Sequence, residues 1–125
     1  MKHLLLTSLL VGAFGFFGAI ARFLVATSIQ VSGFPVSTLV INLTGSLFLG
    51  WFMTAAGSWM GVPPPLRIGI AVGFVGAYTT FSTYMFESNA MLMDGSFWRA
   101  TLYILGSVFL GLICVRAGVM LGHLR

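Results

Sequence analysis

Four long apolar segments separated by short loops constrain the fold of this chain more than any other feature. They lie at about residues 4–27, 36–56, 66–91 and 97–121. Each is close to the ~20 residues that a helix needs to cross the hydrocarbon core of a membrane. Only 6% of the 125 residues are charged, against about 25% in soluble domains. The sequence therefore predicts one all-α integral membrane domain, residues 1–125, with four transmembrane helices.

The distribution of basic residues sets only a weak preference for one orientation in the membrane. Four helices bring both chain ends to the same side. That side holds Lys2, Arg67, Arg116 and Arg125, and the opposite side holds Arg22 and Arg99. Because orientation follows the excess of basic residues on the inner side, a four-to-two division permits insertion in both orientations. One fixed orientation with the termini inside is an equal alternative.

Polar side chains recur every four residues inside two of the apolar segments. The second segment carries Thr38, Asn42 and Ser46, and the fourth carries Tyr103, Ser107 and Gly111. Residues with this spacing share one face of a helix. An amide inside a membrane is costly unless it is hydrogen-bonded, so Asn42 either joins two helices or donates to an anion in a polar pathway. Two such stripes in one small chain favour a polar track.

The third segment combines glycines, hydroxyls and aromatic rings at membrane depth. Gly73 and Gly76 weaken the helix, and the Thr/Ser run that follows can hydrogen-bond its own backbone and so favours a break. We expect the helix to unwind near Gly76–Thr79 and to free carbonyl oxygens that can hold a cation such as Na⁺. Phe81 and Tyr84 share a face, and their positive ring edges can attract an anion weakly.

The sequence shows no arrangement of catalytic side chains. Its two acidic residues are Glu87 and Asp94, its two histidines lie near opposite ends of the chain, and it has one cysteine. We therefore expect no enzymatic activity. The basic residues are scattered and form no cluster of the kind that binds nucleic acid, so we expect membrane lipid and no nucleic acid among the partners of this chain.

Three motifs in order resemble those of the Fluc (CrcB) fluoride channel family. GFFGAIARF at residues 15–23 resembles the first-helix Gly/Ala/Arg motif of that family. PVSTLVINLTGS at residues 35–46 resembles its P-x-x-T-L-x-x-N-x-x-G-S pattern. GFVGAYTTFSTY at residues 73–84 resembles its G-F-x-G-G-x-T-T-F-S-T-F signature. The resemblance covers nearly the whole chain.

The resemblance implies a fluoride-selective channel in the bacterial plasma membrane that exports cytoplasmic fluoride passively and so reduces its toxicity. It implies an antiparallel, dual-topology homodimer with two pores at the subunit interface. It also implies a structural Na⁺ at that interface, held by backbone carbonyls that would here belong to Gly76 and Thr79.

The resemblance further assigns side chains to the fluoride pore. The pore asparagine would be Asn42 and the two pore aromatics would be Phe81 and Tyr84. The polar track would continue through Thr38, Ser82, Thr83, Tyr103 and Ser107. Arg22 would lie near the vestibule and support the dimer or anion entry.

Three positions depart from the family pattern. Ala77 replaces the second glycine of the break, which restricts the backbone angles there. Tyr84 replaces the usual second phenylalanine, and its hydroxyl could either donate to fluoride or bond elsewhere. Gly111 stands where many members carry a serine, which shortens the polar stripe of the fourth helix.

Two other functions compete with the channel. A small dual-topology, proton-coupled multidrug exporter also has four helices, but it needs a membrane carboxylate to exchange protons for substrate. The first three segments offer only Glu87, near an end. A non-catalytic subunit of a larger membrane complex is the third possibility, and it predicts no flux by the chain alone.

Overall fold

Four apolar helical spans make up the chain, of which a computed structural model describes residues 1–124. They are Lys2–Ser28, Val36–Ser58, Pro64–Met93 and Phe97–His123. All four are long and apolar enough to cross a membrane, which confirms the four predicted spans. Arg125, which we counted with the basic residues beside the termini, lies outside the described residues.

The first two spans are the helices α1 (Lys2–Ser28) and α2 (Val36–Ser58), and the third is interrupted near its middle. Its first half, α3 (residues 64–78), includes a π-helical stretch at Gly69–Val75. Thr79 and Thr80 are extended, and α4 (Phe81–Met93) then resumes the span. The last span is α5 (Phe97–His123).

The break lies at the carboxyl-terminal edge of the position that the sequence predicted. Gly76 keeps helical dihedral angles, φ −62° and ψ −34°, whereas Thr79 has ψ 160° and Thr80 has ψ 119°. The Thr80 hydroxyl accepts the Thr83 amide proton at 3.2 Å and so caps α4, as threonine often does at a helix start. Hydroxyl-bearing residues therefore restart the helix.

Ala77 causes no backbone strain at the position where the family pattern has glycine. It lies in the helical turn Gly76–Tyr78, and within residues 1–124 positive φ occurs only at glycines in loops. The expected restriction of backbone angles therefore has no consequence, because the chain asks for an ordinary helical conformation there.

Close glycine contacts join the spans into two pairs. A Cβ atom on Gly118 of α5 would collide with the Leu47 carbonyl oxygen of α2, and one on Gly18 of α1 would collide with the Phe74 carbonyl oxygen of α3. In lipid, helices associate largely through such close packing, since apolar side chains gain little by leaving the acyl chains. The pairs α2/α5 and α1/α3 therefore hold the break between them.

Candidate ion-binding groove at the helix break

A groove of about 310 Å³ opens beside the break, between α2, the extended residues, α4 and α5. It brings together five of the residues that the resemblance assigned to the ion pathway or the sodium site. These are Asn42, Thr79, Phe81, Tyr84 and Ser107. Ser46 and Thr80 also line it, and none of its lining residues carries a charge.

Asn42 holds the break through two reciprocal hydrogen bonds with Thr80. The Thr80 amide N–H donates to Oδ1 of Asn42 at 2.8 Å, and Nδ2 of Asn42 donates to the Thr80 carbonyl oxygen at 3.0 Å. The extended backbone would otherwise leave both peptide groups without a partner in an apolar environment. An asparagine amide has two N–H donors, and the second has no protein partner in the described part of the chain. Asn42 thus joins two helices and keeps one free donor at the groove.

The two predicted pore aromatics differ in exposure. The Phe81 side chain is 74% exposed and that of Tyr84 only 6%, and their ring centroids lie 6.0 Å apart with planes inclined at 58°. The Tyr84 hydroxyl, for which the sequence left two partners open, donates to the Ile104 carbonyl oxygen of α5 at 2.8 Å. Tyr84 therefore presents its ring, and Phe81 its whole side chain, at the groove.

A cluster around the half-buried carboxylate of Glu87 lies one helical turn beyond Tyr84. The Thr38 hydroxyl donates to Oε1 of Glu87 at 2.7 Å, and the Tyr103 hydroxyl donates to Oε2 of Glu87 at 2.8 Å. Thr38 and Tyr103 are both buried. The Tyr103 ring meets that of Tyr84 edge to face at 5.1 Å, so the cluster is continuous with the groove.

Glu87 is the site residue that the sequence reasoning did not assign. Two signals in the sequence could have identified it. It follows Tyr84 by three residues and so lies near the same helix face, and an ionisable residue inside a membrane span is by default a functional candidate. Its partners Thr38 and Tyr103 were both predicted from the resemblance, but nothing in the sequence showed that they meet at a carboxylate.

Ser107 contributes a hydroxyl without a partner. Its Oγ atom is buried and accepts or donates no hydrogen bond within residues 1–124, although the residue lines the groove. Buried hydroxyls are nearly always paired with protein or water, so the single chain leaves this hydroxyl short of a partner beside the groove. One turn further along α5, Gly111 has no side chain, and a Cβ atom built there meets nothing within 4 Å. The polar stripe of α5 therefore ends at Ser107.

Ser82 and Thr83 lie at the start of α4 and are not among the residues lining the groove. The Thr80 hydroxyl donates to Oγ1 of Thr83 at 3.0 Å and lies 3.4 Å from Oγ of Ser82. Both residues are exposed. In the single chain they belong to the cap of α4.

One carbonyl group at the break faces Arg22. Nη1 of Arg22 donates to the Thr79 carbonyl oxygen at 3.4 Å. The Thr80 N–H, which an unbroken helix would direct to the Gly76 carbonyl oxygen four residues earlier, is bonded to Asn42 instead. Within the described residues no three His, Cys, Asp or Glu side chains come together as metal ligands.

Comparison with known proteins places this sequence in a family. The sequence matches the family described as "CrcB-like protein, Camphor Resistance (CrcB)" across residues 9–119. A protein of Chlorobium phaeobacteroides (strain BS1) is 46% identical over 118 residues, which are 93% of this chain and 92% of the relative. One of Chlorobaculum tepidum is 42% identical over 93% of this chain and 94% of the relative. One of Geobacter sulfurreducens is 38% identical over 91% and 94%.

All three relatives are named fluoride-specific ion channel FluC. The agreement in length and the four apolar spans make this chain a multi-pass protein of the bacterial membrane. The match over residues 9–119 includes the break, Asn42 and every residue that lines the groove. The chain belongs to the CrcB family.

Proposed function

We propose that this chain forms a fluoride-selective channel through which fluoride leaves the cytoplasm passively. One observation carries the proposal: the groove at mid-span combines a spare amide N–H, an unpartnered hydroxyl and aromatic rings with no charged residue. Such a lining offers donors to an anion without binding it tightly. The CrcB relatives named above as fluoride-specific channels supply the identity of that anion.

The lining can replace water around a small, strongly hydrated anion. The free N–H of Asn42 and the hydroxyl of Ser107 are neutral donors, and the exposed Phe81 ring adds the weak attraction of its positive edge. Conduction requires each site to be weak enough to release the ion again. At the adjoining cluster, the Thr38 and Tyr103 hydroxyls each donate their single proton to Glu87. They can donate to fluoride only when these hydrogen bonds to Glu87 are broken.

A second copy of the chain completes the pathway in this proposal, as an antiparallel, dual-topology homodimer. Four helices do not enclose a pore, and the groove leaves Phe81 74% exposed at the middle of a membrane span. Gly76 is also exposed, and a Cβ atom built on it meets nothing within 4 Å, which leaves room for close approach. Pairing of two copies over this face would turn each open groove into a closed path.

A structural Na⁺ at the dimer interface is the third part of the proposal. Its ligands would be the carbonyl oxygens of Gly76 and Thr79, and the donor chemistry fits because hard cations take oxygen ligands. A bound sodium supplies a fixed positive charge that lowers the cost of an anion at mid-membrane. The guanidinium of Arg22 already donates to the Thr79 carbonyl oxygen at 3.4 Å, so Na⁺ would use the second lone pair of that oxygen.

Fluoride efflux from liposomes tests the proposed function. Purified protein should release trapped fluoride, measured with a fluoride electrode, and should hold chloride under the same gradient. Equal release of both ions, or release of neither, would overturn the proposal. Flux of a cationic dye that depends on a proton gradient would instead support the multidrug exporter.

A further inference from the structure

The hydroxyl of Tyr84 is committed to the protein at the edge of the groove. It donates to the Ile104 carbonyl oxygen at 2.8 Å, and the side chain is 6% exposed. A phenol has one proton to donate. While the Tyr84 hydroxyl donates this proton to the Ile104 carbonyl oxygen, the phenol oxygen has only lone pairs to offer the groove, and lone pairs repel an anion.

The same hydrogen bond joins two elements that the break would otherwise separate. The half-helix α4 begins after two extended residues, so the backbone hydrogen bonds of α3 do not continue into it. Asn42 holds its first turn through Thr80, and Tyr84 holds the next turn to α5. The ring is further fixed by its edge-to-face contact with Tyr103 at 5.1 Å.

We propose that Tyr84 is a positioning residue of the ion pathway. Its hydroxyl joins α4 to α5 and so orients the ring edge that faces the ion. The hydroxyl itself does not bind the ion. This inference rests on the proposed channel function and deepens it. It assigns the tyrosine hydroxyl, which replaces a hydrogen atom of the family's usual phenylalanine, to the protein and not to fluoride.

Replacement of Tyr84 by phenylalanine tests this assignment without endangering the fold. The Ile104 carbonyl oxygen lies inside α5 and keeps its own helical donor, so Tyr84→Phe leaves no buried polar group unpaired. The ring then loses the bond that orients it. We expect fluoride efflux to slow by about fivefold, the factor that corresponds to one net hydrogen bond.

Two further quantities distinguish positioning from binding. The fluoride concentration that half-saturates efflux and the preference for fluoride over chloride should both stay unchanged in Tyr84→Phe. Tyr78→Phe is the matched control, because its hydroxyl lies 2.9 Å from Oγ1 of Thr44, outside the groove, and its efflux should equal that of the unmodified protein. A severalfold rise in the half-saturating concentration for Tyr84→Phe, or unchanged efflux, would overturn the proposal.

Raman spectroscopy of the phenol reads the hydrogen bond directly. The difference between the spectra of the unmodified protein and Tyr84→Phe isolates Tyr84 from the other two tyrosines. Its Fermi doublet should report a phenol that donates its proton, equally in fluoride-free and fluoride-containing buffer. A change on adding fluoride but not chloride would overturn the proposal. The measurement needs no flux, so it separates failure of this inference from failure of the channel function, which would appear as no efflux from the unmodified protein.

Discussion

Asn42 shows how one side chain can serve both the fold and the pathway. Its two hydrogen bonds to Thr80 satisfy the peptide groups that the break exposes, and the residue lines the groove with one N–H left over. The sequence left two roles open for this residue, joining helices or donating to an anion. The structure shows that Asn42 joins helices. Its second N–H remains available to donate to an anion.

Asn42→Asp tests the role in the pathway. An aspartate can still accept the Thr80 N–H through one oxygen, but its second oxygen replaces Nδ2, so the bond to the Thr80 carbonyl oxygen is lost and negative charge enters the groove. We expect fluoride efflux to fall to the level of protein-free liposomes, because like charges repel strongly where water is excluded.

Thr44→Val is the matched control for Asn42→Asp, since Thr44 lies two residues along α2 and bonds Tyr78 outside the groove. Its efflux should be that of the unmodified protein, and both variants should elute as the unmodified protein does on size exclusion. Normal efflux by Asn42→Asp would remove Asn42 from the pathway.

At the scale of the elements, the sequence predicted the spans well and the break approximately. A long apolar segment predicts a membrane-spanning helix because a helix satisfies all of its own backbone hydrogen bonds in lipid. The glycines of the third span were expected to unwind it, yet Gly73 is needed for close packing, where a Cβ atom would meet the Val11 carbonyl oxygen of α1. The pairing of Asn42 with Thr80, and of Glu87 with Thr38, depends on how distant helices align, which a single sequence does not reveal.

Thr80→Val tests whether a hydroxyl restarts the helix after the break. Valine keeps the shape but removes the oxygen that accepts the Thr83 N–H. We expect a loss of about 1 kcal/mol in the free energy of unfolding, the usual cost of removing a helix cap. Thermal unfolding in detergent measures it.

Thr83→Val is the control for the cap, because it removes a hydroxyl from the same cluster and keeps the backbone N–H bonded to Thr80. Its unfolding temperature should lie closer to that of the unmodified protein. If the two variants unfold at the same lowered temperature, the hydroxyl cluster as a whole stabilises α4 and the cap has no special part.

At the scale of the whole molecule, the proposed antiparallel dimer requires the chain to insert in both orientations. The weak charge bias seen in the sequence is consistent with this, and the structure places the loop after α1 and the loop after α2 at opposite ends of α2. A label applied from outside the cell can therefore report the orientation of each copy.

Cysteine labelling measures the orientation. In a Cys114→Ala background, Ser32→Cys and Ser58→Cys place one exposed thiol at either end of α2. In intact cells, a maleimide that cannot cross the membrane should label about half of the chains of each variant, since equal insertion exposes each end equally. Nearly complete labelling of one variant and none of the other would establish a single orientation and exclude the antiparallel dimer.

The exposure of Phe81 also affects how many complete ion pathways form in a membrane. In a lone copy this ring and the open groove would lie against acyl chains, so pairing would exchange lipid for protein. That exchange gains little from hydrophobicity, because lipid tails are as apolar as the ring. The proposed pairing must then compete with the surrounding lipid by mass action. The number of complete pathways would depend on the ratio of protein to lipid in the membrane, and doubling the number of chains at low density would more than double it.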